Sequence, residues 1–246
     1  MPVHFSMPFE KNITLEMDSN YTQKVQEAVR HGKHVRPWLM RRVCEKMDLD
    51  YKPLEAAAMG IEMIHQASLL HDDVIDGDLE RRGTENDAAQ NGVSHSILFG
   101  DFLFLQGMKH FHESQYPPAI PRAVVETVSG MAEHQLKESE GRITDLDAYL
   151  AYAEAKTGGL FALCARIPLL YYEMNHPPAE TFSHHYGLAY QIADDLSEKH
   201  PEKDGVNILH FLPREKAVSR FHTLRTQLGK MDFIPVEELT FIPFIE

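Results

Sequence analysis

Two groups of carboxylates stand far apart in the sequence, Asp72-Asp73-Val74-Ile75-Asp76 and Asp194-Asp195-Leu196-Ser197-Glu198, each closing an apolar run with helical spacing. Carboxylates crowded in this way repel one another and lose hydration in a cleft, so without a counter-cation some would take up protons. A divalent metal relieves that repulsion. On a helix of about 3.6 residues per turn, Asp72 and Asp76 stack one above the other, as do Asp194 and Glu198. Hard oxygen donors without Cys or paired His suit Mg²⁺ or Mn²⁺. Mg²⁺ in particular uses few carboxylates and completes its shell with waters and phosphate oxygens. One acidic group alone would most simply be a solvated helix end. Two, both flanked by apolar sequence, point to metal-binding rims that could hold a diphosphate through shared ions.

Helices must position these groups. Apolar residues recur at helical spacing from about Tyr21 to Arg30, Pro37 to Lys46, Leu54 to Ile75, Ser94 to His112, Ala119 to Leu136, Leu146 to Tyr172 and Ala179 to Leu196. Long alternating runs rich in β-branched residues are absent, so an all-α bundle is predicted, with a central cavity floored by the apolar stripes below the acidic rims. Pro37 suits an early helical position, Asp145 can cap the helix that starts at Leu146, and the pairs Pro117-Pro118 and Pro177-Pro178 mark turns. No linker or repeat divides the 246 residues, which read as a single domain, residues 1–246.

Composition excludes several functions. A formal charge of −13 argues against nonspecific nucleic-acid binding, which needs basic surface. No stretch reaches the roughly 18 apolar residues of a membrane span, and the N-terminal segment lacks the features of a secretory signal. Cys44 and Cys164 are too few for a disulfide framework. A cytoplasmic location is expected.

Upstream of the first acidic group stands Gly32-Lys33-His34-Val35-Arg36-Pro37, and around it Glu62-Met63-Ile64-His65-Gln66-Ala67-Ser68-Leu69-Leu70-His71, with Arg81-Arg82-Gly83 following. Further on come Gly100-Asp101-Phe102-Leu103, Lys156-Thr157-Gly158 and Gln191-Ile192-Ala193-Asp194-Asp195. In these ordered motifs, from about Gly32 to Ala217, the chain resembles the trans-isoprenyl diphosphate synthases, the polyprenyl synthetase family. The resemblance implies an isoprenoid-synthase-type fold and a Mg²⁺-dependent prenyl transfer. An allylic diphosphate ionises, its cation adds to the double bond of isopentenyl diphosphate, and a proton is lost to the departing diphosphate. It implies that Asp72, Asp76 and Asp194 hold metal, assisted by Asp73, Asp195 and Glu198. Arg81, Lys156 and Gln191 would hold the allylic diphosphate, with Thr157 near the developing cation. Lys33, Arg36, His65 and Arg82 would take the isopentenyl diphosphate in a site without metal, where forked arginine and compact lysine charges suit phosphate oxygens. Taken singly, Arg81-Arg82 would be ordinary solvated surface and His65 an ordinary helix histidine. Their joint order makes the functional reading.

The resemblance has departures. Glu198 stands where the family usually has Asp, and the following loop, Lys199 to Gly205, lacks a clear Gly-Lys-x-Thr segment, so Lys199 or Lys203 would have to supply its cation. The chain reads as shortened at both termini. Ala67 and Ser68 occupy positions where short-chain members often place aromatic rings. Small residues there leave the product path open, with the stop near Gly60, Met63 and Ile64 or on Phe104 and Met108, and imply a product of C20 or longer. Met63 and Met108 would equally serve as core filling. Family members are usually homodimers. The competing functions are a terpene synthase, disfavoured by Lys33, Arg36, His65 and Arg82, and a weakly active or inactive subunit that regulates a heteromeric synthase partner.

Overall fold

The computed structural model describes residues 19–30, 32–81, 83–113, 116–198 and 205–234. The chain falls into two compact units, one of residues up to Trp38 with Pro53–Tyr116, the other of Leu39–Lys52 with the residues from Pro117 onward. Helices carry almost all of the described structure, as the periodicity predicts, and none is long and apolar enough to cross a membrane.

The first unit contains α1 (Ser19–Arg30), the opening turn of α2 (Val35–Lys46), α3 (Glu55–Asp76), the short α4 (Asp87–Asn91) and α5 (Val93–Glu113). Its centre is the pairing of α3 with α5. Gly60 and Gly107 permit that approach, since a Cβ on Gly60 would stand 2.8 Å from the Gly107 carbonyl and 2.7 Å from the Phe111 ring. Further along, the ring of His71 occupies the space a Cβ on Gly100 would need. Thus Gly60, Met63, Ala67 and His71 form the stripe of α3 that faces α5, at the i, i+3, i+7, i+11 spacing of one helical face. A hydrophobic cluster of Val25 and Val29 from α1, Met59, Met63 and Ala67 from α3, and Phe99 and Leu103 from α5 fills this unit. Gly60→Ala would gain about 1 kcal/mol of helix propensity. Because a backbone carbonyl cannot turn aside as a side chain can, overpacking of about 1–3 kcal/mol or more outweighs that gain. The expected result is a net loss of stability in chemical denaturation.

Although the sequence predicts no strands, β1 (Glu80–Arg81) and β2 (Thr84–Glu85) pair antiparallel just beyond α3. Two-residue strands are too short to leave a periodic signal. Gly83, at φ +79°, supplies the left-handed turn between them. Arg82 lies outside the described residues, as do Lys199, Lys203 and most of the loop between them.

The second unit contains the rest of α2, α6 (Ala119–Ser139), α7 (Leu146–Ala153), α8 (Gly159–Tyr171), α9 (Pro177–Ser197) and α10 (Arg214–Met231). Asp145 caps α7, its side chain accepting from the Ala148 N–H at 2.9 Å. The run expected as one helix from Leu146 to Tyr172 is interrupted by a π turn at Glu154–Gly158. Gly187 of α9 packs against that turn, where a Cβ would stand 2.7 Å from Cα of Gly158. Pro177-Pro178, expected as a turn, instead opens α9 behind the capping His176, consistent with the tolerance of proline at first-turn positions that lack intrahelical donors. The final helix, α10, lies beyond the predicted helices, although Ala217, Phe221, Leu224 and Leu228 form its buried stripe.

Candidate active site

In the first unit, α3 delivers the carboxylates with different environments. Asp72 is half-buried and Asp76 exposed, whereas Asp73 is only 3% exposed. About 100° of helical rotation separates Asp73 from Asp72, and Asp73 turns inward to Arg81. The guanidinium donates from Nε at 2.6 Å and places Nη2 at 2.5 Å from the same carboxylate oxygen. Burial works against the Arg81 charge, but the hydrogen bond and charge of Asp73, with Asp72 and Asp78 behind it, hold its pKa above the ordinary value. The chain reverses at Gly77, the left-handed C-cap of α3 whose N–H donates to the Asp73 carbonyl, and this brings Arg81 of β1 back to the Asp73 side chain. Asp73, expected to assist metal binding, serves here as an anchor for arginine.

Of the residues expected to form the second diphosphate site, Lys33, Arg36 and His65 lie on the same unit. Arg36 is buried near the start of α2, Lys33 is exposed in the preceding turn, and His65 is half-buried on α3. Glu62, one turn before His65, packs against Gly32 so closely that its carboxylate fills the place of a Cβ there. Gln66 donates to that carboxylate at 2.9 Å. Glycine at position 32 leaves room for that side chain of α3. His34 at φ +52° completes the turn, its Nε2 lying 2.7 Å from the Val29 carbonyl.

The second acidic group repeats the pattern of the first. Asp194 and Glu198 are exposed at the end of α9, while Asp195 is 3% exposed. Three donors converge on the Asp195 carboxylate: the Tyr149 hydroxyl at 2.7 Å, Gln191 Nε2 at 2.7 Å and the Ile208 N–H at 2.8 Å. Burial raises its pKa, the three donors pull it back, and Asp194 adds repulsion, with a net rise. Burial, then the neighbouring carboxylate, drives the Tyr149 phenol well above its usual range and keeps it a donor. The Thr157 hydroxyl in turn donates to Oε1 of Gln191. Thr157, distant in sequence, therefore joins Gln191 and Asp195 of α9 in one hydrogen-bonded chain.

Asn207 has no counterpart among the residues that the motifs single out. Fully enclosed, it donates from Nδ2 to Glu198 Oε2 at 2.7 Å and to the Asp195 carbonyl at 3.1 Å, while its Oδ1 accepts from the Leu209 N–H at 2.9 Å. It holds the longer carboxylate that this chain carries at the end of the motif. Tyr149 and Asn207 each act across a connection, which no local spacing reveals. Lys156 sits in the π turn with Nζ 5.3 Å from the centre of the Tyr152 ring, a cation–π contact.

The outer carboxylates fit a hard divalent cation. They are oxygen donors, at or near the surface, and arranged as i, i+4 pairs on α3 and at the end of α9. Among the described residues no three His, Cys, Asp or Glu side chains converge to make a closed metal cage. The buried thiols offer no competing chemistry: burial, with Glu45 and Asp50, pushes Cys44 up to about 12.

The helical fold is that of the isoprenoid synthases. An isoprenoid synthase family member from Thermotoga neapolitana superposes with a TM-score of 0.80 at 23% identity, covering 92% of this chain and 90% of that one. A geranyltransferase from Helicobacter pylori, solved with magnesium and isoprenyl diphosphate, superposes with a TM-score of 0.75 at 22% identity, covering 91% and 85%. The chain belongs to the polyprenyl synthetase family, whose sequence pattern matches residues 18–204. A geranylfarnesyl diphosphate synthase from Methanosarcina mazei is 33% identical over 197 residues, 77% of this chain and 65% of its own. Component 2 of a heptaprenyl diphosphate synthase from Geobacillus stearothermophilus is 30% identical over 171 residues, 67% and 53%. The chain thus spans between about half and two thirds of the length of these curated relatives.

Proposed function

We propose that this protein is a cytoplasmic prenyltransferase that condenses an allylic diphosphate with isopentenyl diphosphate, making a trans-polyprenyl diphosphate of C20 or longer. The observation that carries this reading is the repeated division of labour in the two acidic motifs, an inner aspartate anchored by donors and outer carboxylates presented to a ligand. Asp72 and Asp76 on α3 would hold Mg²⁺, the ion named with the Helicobacter pylori relative, and Asp194 on α9 with Glu198 just beyond its end would hold the same kind of ion. Bound there, the ion supplies Lewis acidity to the departing diphosphate.

The protein's own groups do the rest. Arg81, held by Asp73, and Lys156 contribute fixed positive charge to the allylic diphosphate as its C–O bond breaks. Thr157 commits its proton to Gln191, which leaves the hydroxyl lone pairs available to the allylic cation. Gln191 is itself oriented by Asp195, so the network is preorganised. Lys33, Arg36, His65 and Arg82 bind the isopentenyl diphosphate. After the new carbon–carbon bond forms, the released diphosphate takes the proton.

The deciding experiment is incubation with each allylic diphosphate, isopentenyl diphosphate and Mg²⁺, with products sized by mass spectrometry. Elongated prenyl diphosphates support the reading; a cyclised hydrocarbon or no product overturns it. The basic site is tested separately. Lys33→Ala or Arg36→Ala should raise KM for isopentenyl diphosphate about tenfold, with a much smaller change for the allylic substrate. Equal effects on the two KM values would remove the assignment. A second reading, a chain that works beside another synthase subunit rather than as a homodimer, is favoured by the relative named as one component of a heptaprenyl synthase. Size-exclusion chromatography with light scattering on the purified chain separates self-association from a monomer that needs a partner.

A further inference from the structure

Glu138, near the end of α6, has no part in the roles given so far, yet its carboxylate gathers donors from several segments of the second unit. The Tyr152 hydroxyl of α7 donates to Oε2 at 2.7 Å, and Gln135 donates to the same oxygen at 2.7 Å. The backbone N–H of Val206 donates to Oε1 at 3.0 Å. Lys156 Nζ stands 3.6 Å from Oε2 and over the ring of the same Tyr152. The Glu138 side chain is 11% exposed and that of Lys156 23%, so the pair is shielded from bulk water. Gly205, at φ +48°, lies against Oε1 as well, where a Cβ would come within 3.0 Å.

We infer that Glu138 is a positioning residue for the diphosphate site: it fixes the Lys156 ammonium directly and through Tyr152, and ties the same point to the backbone at Val206. A lysine stem has many rotamers to lose when it is held in one place. A carboxylate beside the ammonium and a ring beneath it remove much of that freedom before any ligand arrives. The carboxylate also explains why a π turn is useful here, since the extra residue brings Lys156 round to α6 while Thr157 still meets Gln191 on α9. This inference rests on the prenyl-transfer reading for its substrate but not for its geometry.

The test uses the full chain with Glu138→Gln and Tyr152→Phe, singly and together. Glu138→Gln keeps the size but removes the charge. The expected result is a rise of about five- to tenfold in KM for the allylic diphosphate, little change in KM for isopentenyl diphosphate, and faster amide exchange at Val206. In the double variant the loss should be less than the product of the single losses, because both act on Lys156. A residue that merely supports the fold would lower the melting temperature and move both KM values alike, and that result would overturn the inference. A parent chain without transferase activity would dispose of the proposed function instead. The positioning role is then decided by calorimetric binding of inorganic pyrophosphate with Mg²⁺ and by the Val206 exchange rate. Weaker binding and faster exchange in Glu138→Gln sustain it, and no change in either overturns it.

Discussion

Asp72→Ala should lower turnover by about 10³-fold or more while far-UV circular dichroism and the melting temperature stay close to those of the parent. Losing a metal ligand removes several kcal/mol of leaving-group stabilisation, and about 4 kcal/mol corresponds to a factor of roughly 10³. Asp72 is half-buried at the end of α3, and the close hydrogen bonding of Arg81 falls to Asp73 instead. Asp73→Ala is the informative control. It strips the anchor from Arg81 and empties a buried site, so it should reduce stability as well as activity, by about 1–3 kcal/mol. Loss of activity without loss of folding at position 72, and coupled losses at position 73, would distinguish ligand from anchor. Unchanged turnover in Asp72→Ala would remove the metal assignment for the first motif.

That contrast shows what the amino-acid sequence made legible. Helical periodicity located α3 and α9, and the i, i+4 rule put Asp72 with Asp76 and Asp194 with Glu198. The same helical rotation sets Asp73 and Asp195 inward, but their purpose depends on partners supplied by tertiary structure. Arg81 reaches back because the chain turns at Gly77 and runs on into a strand too brief to show alternation. Asn207 and Ile208 approach α9 from beyond the following loop. The π turn at Glu154–Gly158 was hidden for another reason: one extra residue within an apolar run barely disturbs the count of hydrophobic positions. Glu138 looks in sequence like any charged residue near a helix end, and only its neighbours mark it out. Residue types and spacing thus revealed the candidate ligands, while the groups that hold them required the folded chain.

Ala67 and Ser68 are expected from the sequence to act together on product length, but the structure gives them different surroundings. Ala67, 1% exposed, belongs to the cluster of α1, α3 and α5, beside Met63, Phe99 and Leu103. Ser68 is half-buried one turn before Asp72 on nearly the same helical face, its hydroxyl donating to the His65 carbonyl at 2.8 Å. A ring at position 67 would have to enter packed core, at a cost of about 1–3 kcal/mol or more. Ala67→Phe should therefore lower the denaturation midpoint first and foremost. A ring at position 68 would stand about 6 Å along α3 from Asp72, a rise comparable with one isoprene unit. If the growing product follows this face, Ser68→Phe should shift products from C20 or longer toward C15 while the first condensation keeps most of its rate. The measurement is chromatography of dephosphorylated products from both folded variants, alongside single-turnover rates for the first addition. An unchanged distribution in a folded Ser68→Phe protein would show that the chain passes elsewhere, and the expectation of a C20 or longer product would lose its basis in these two small residues.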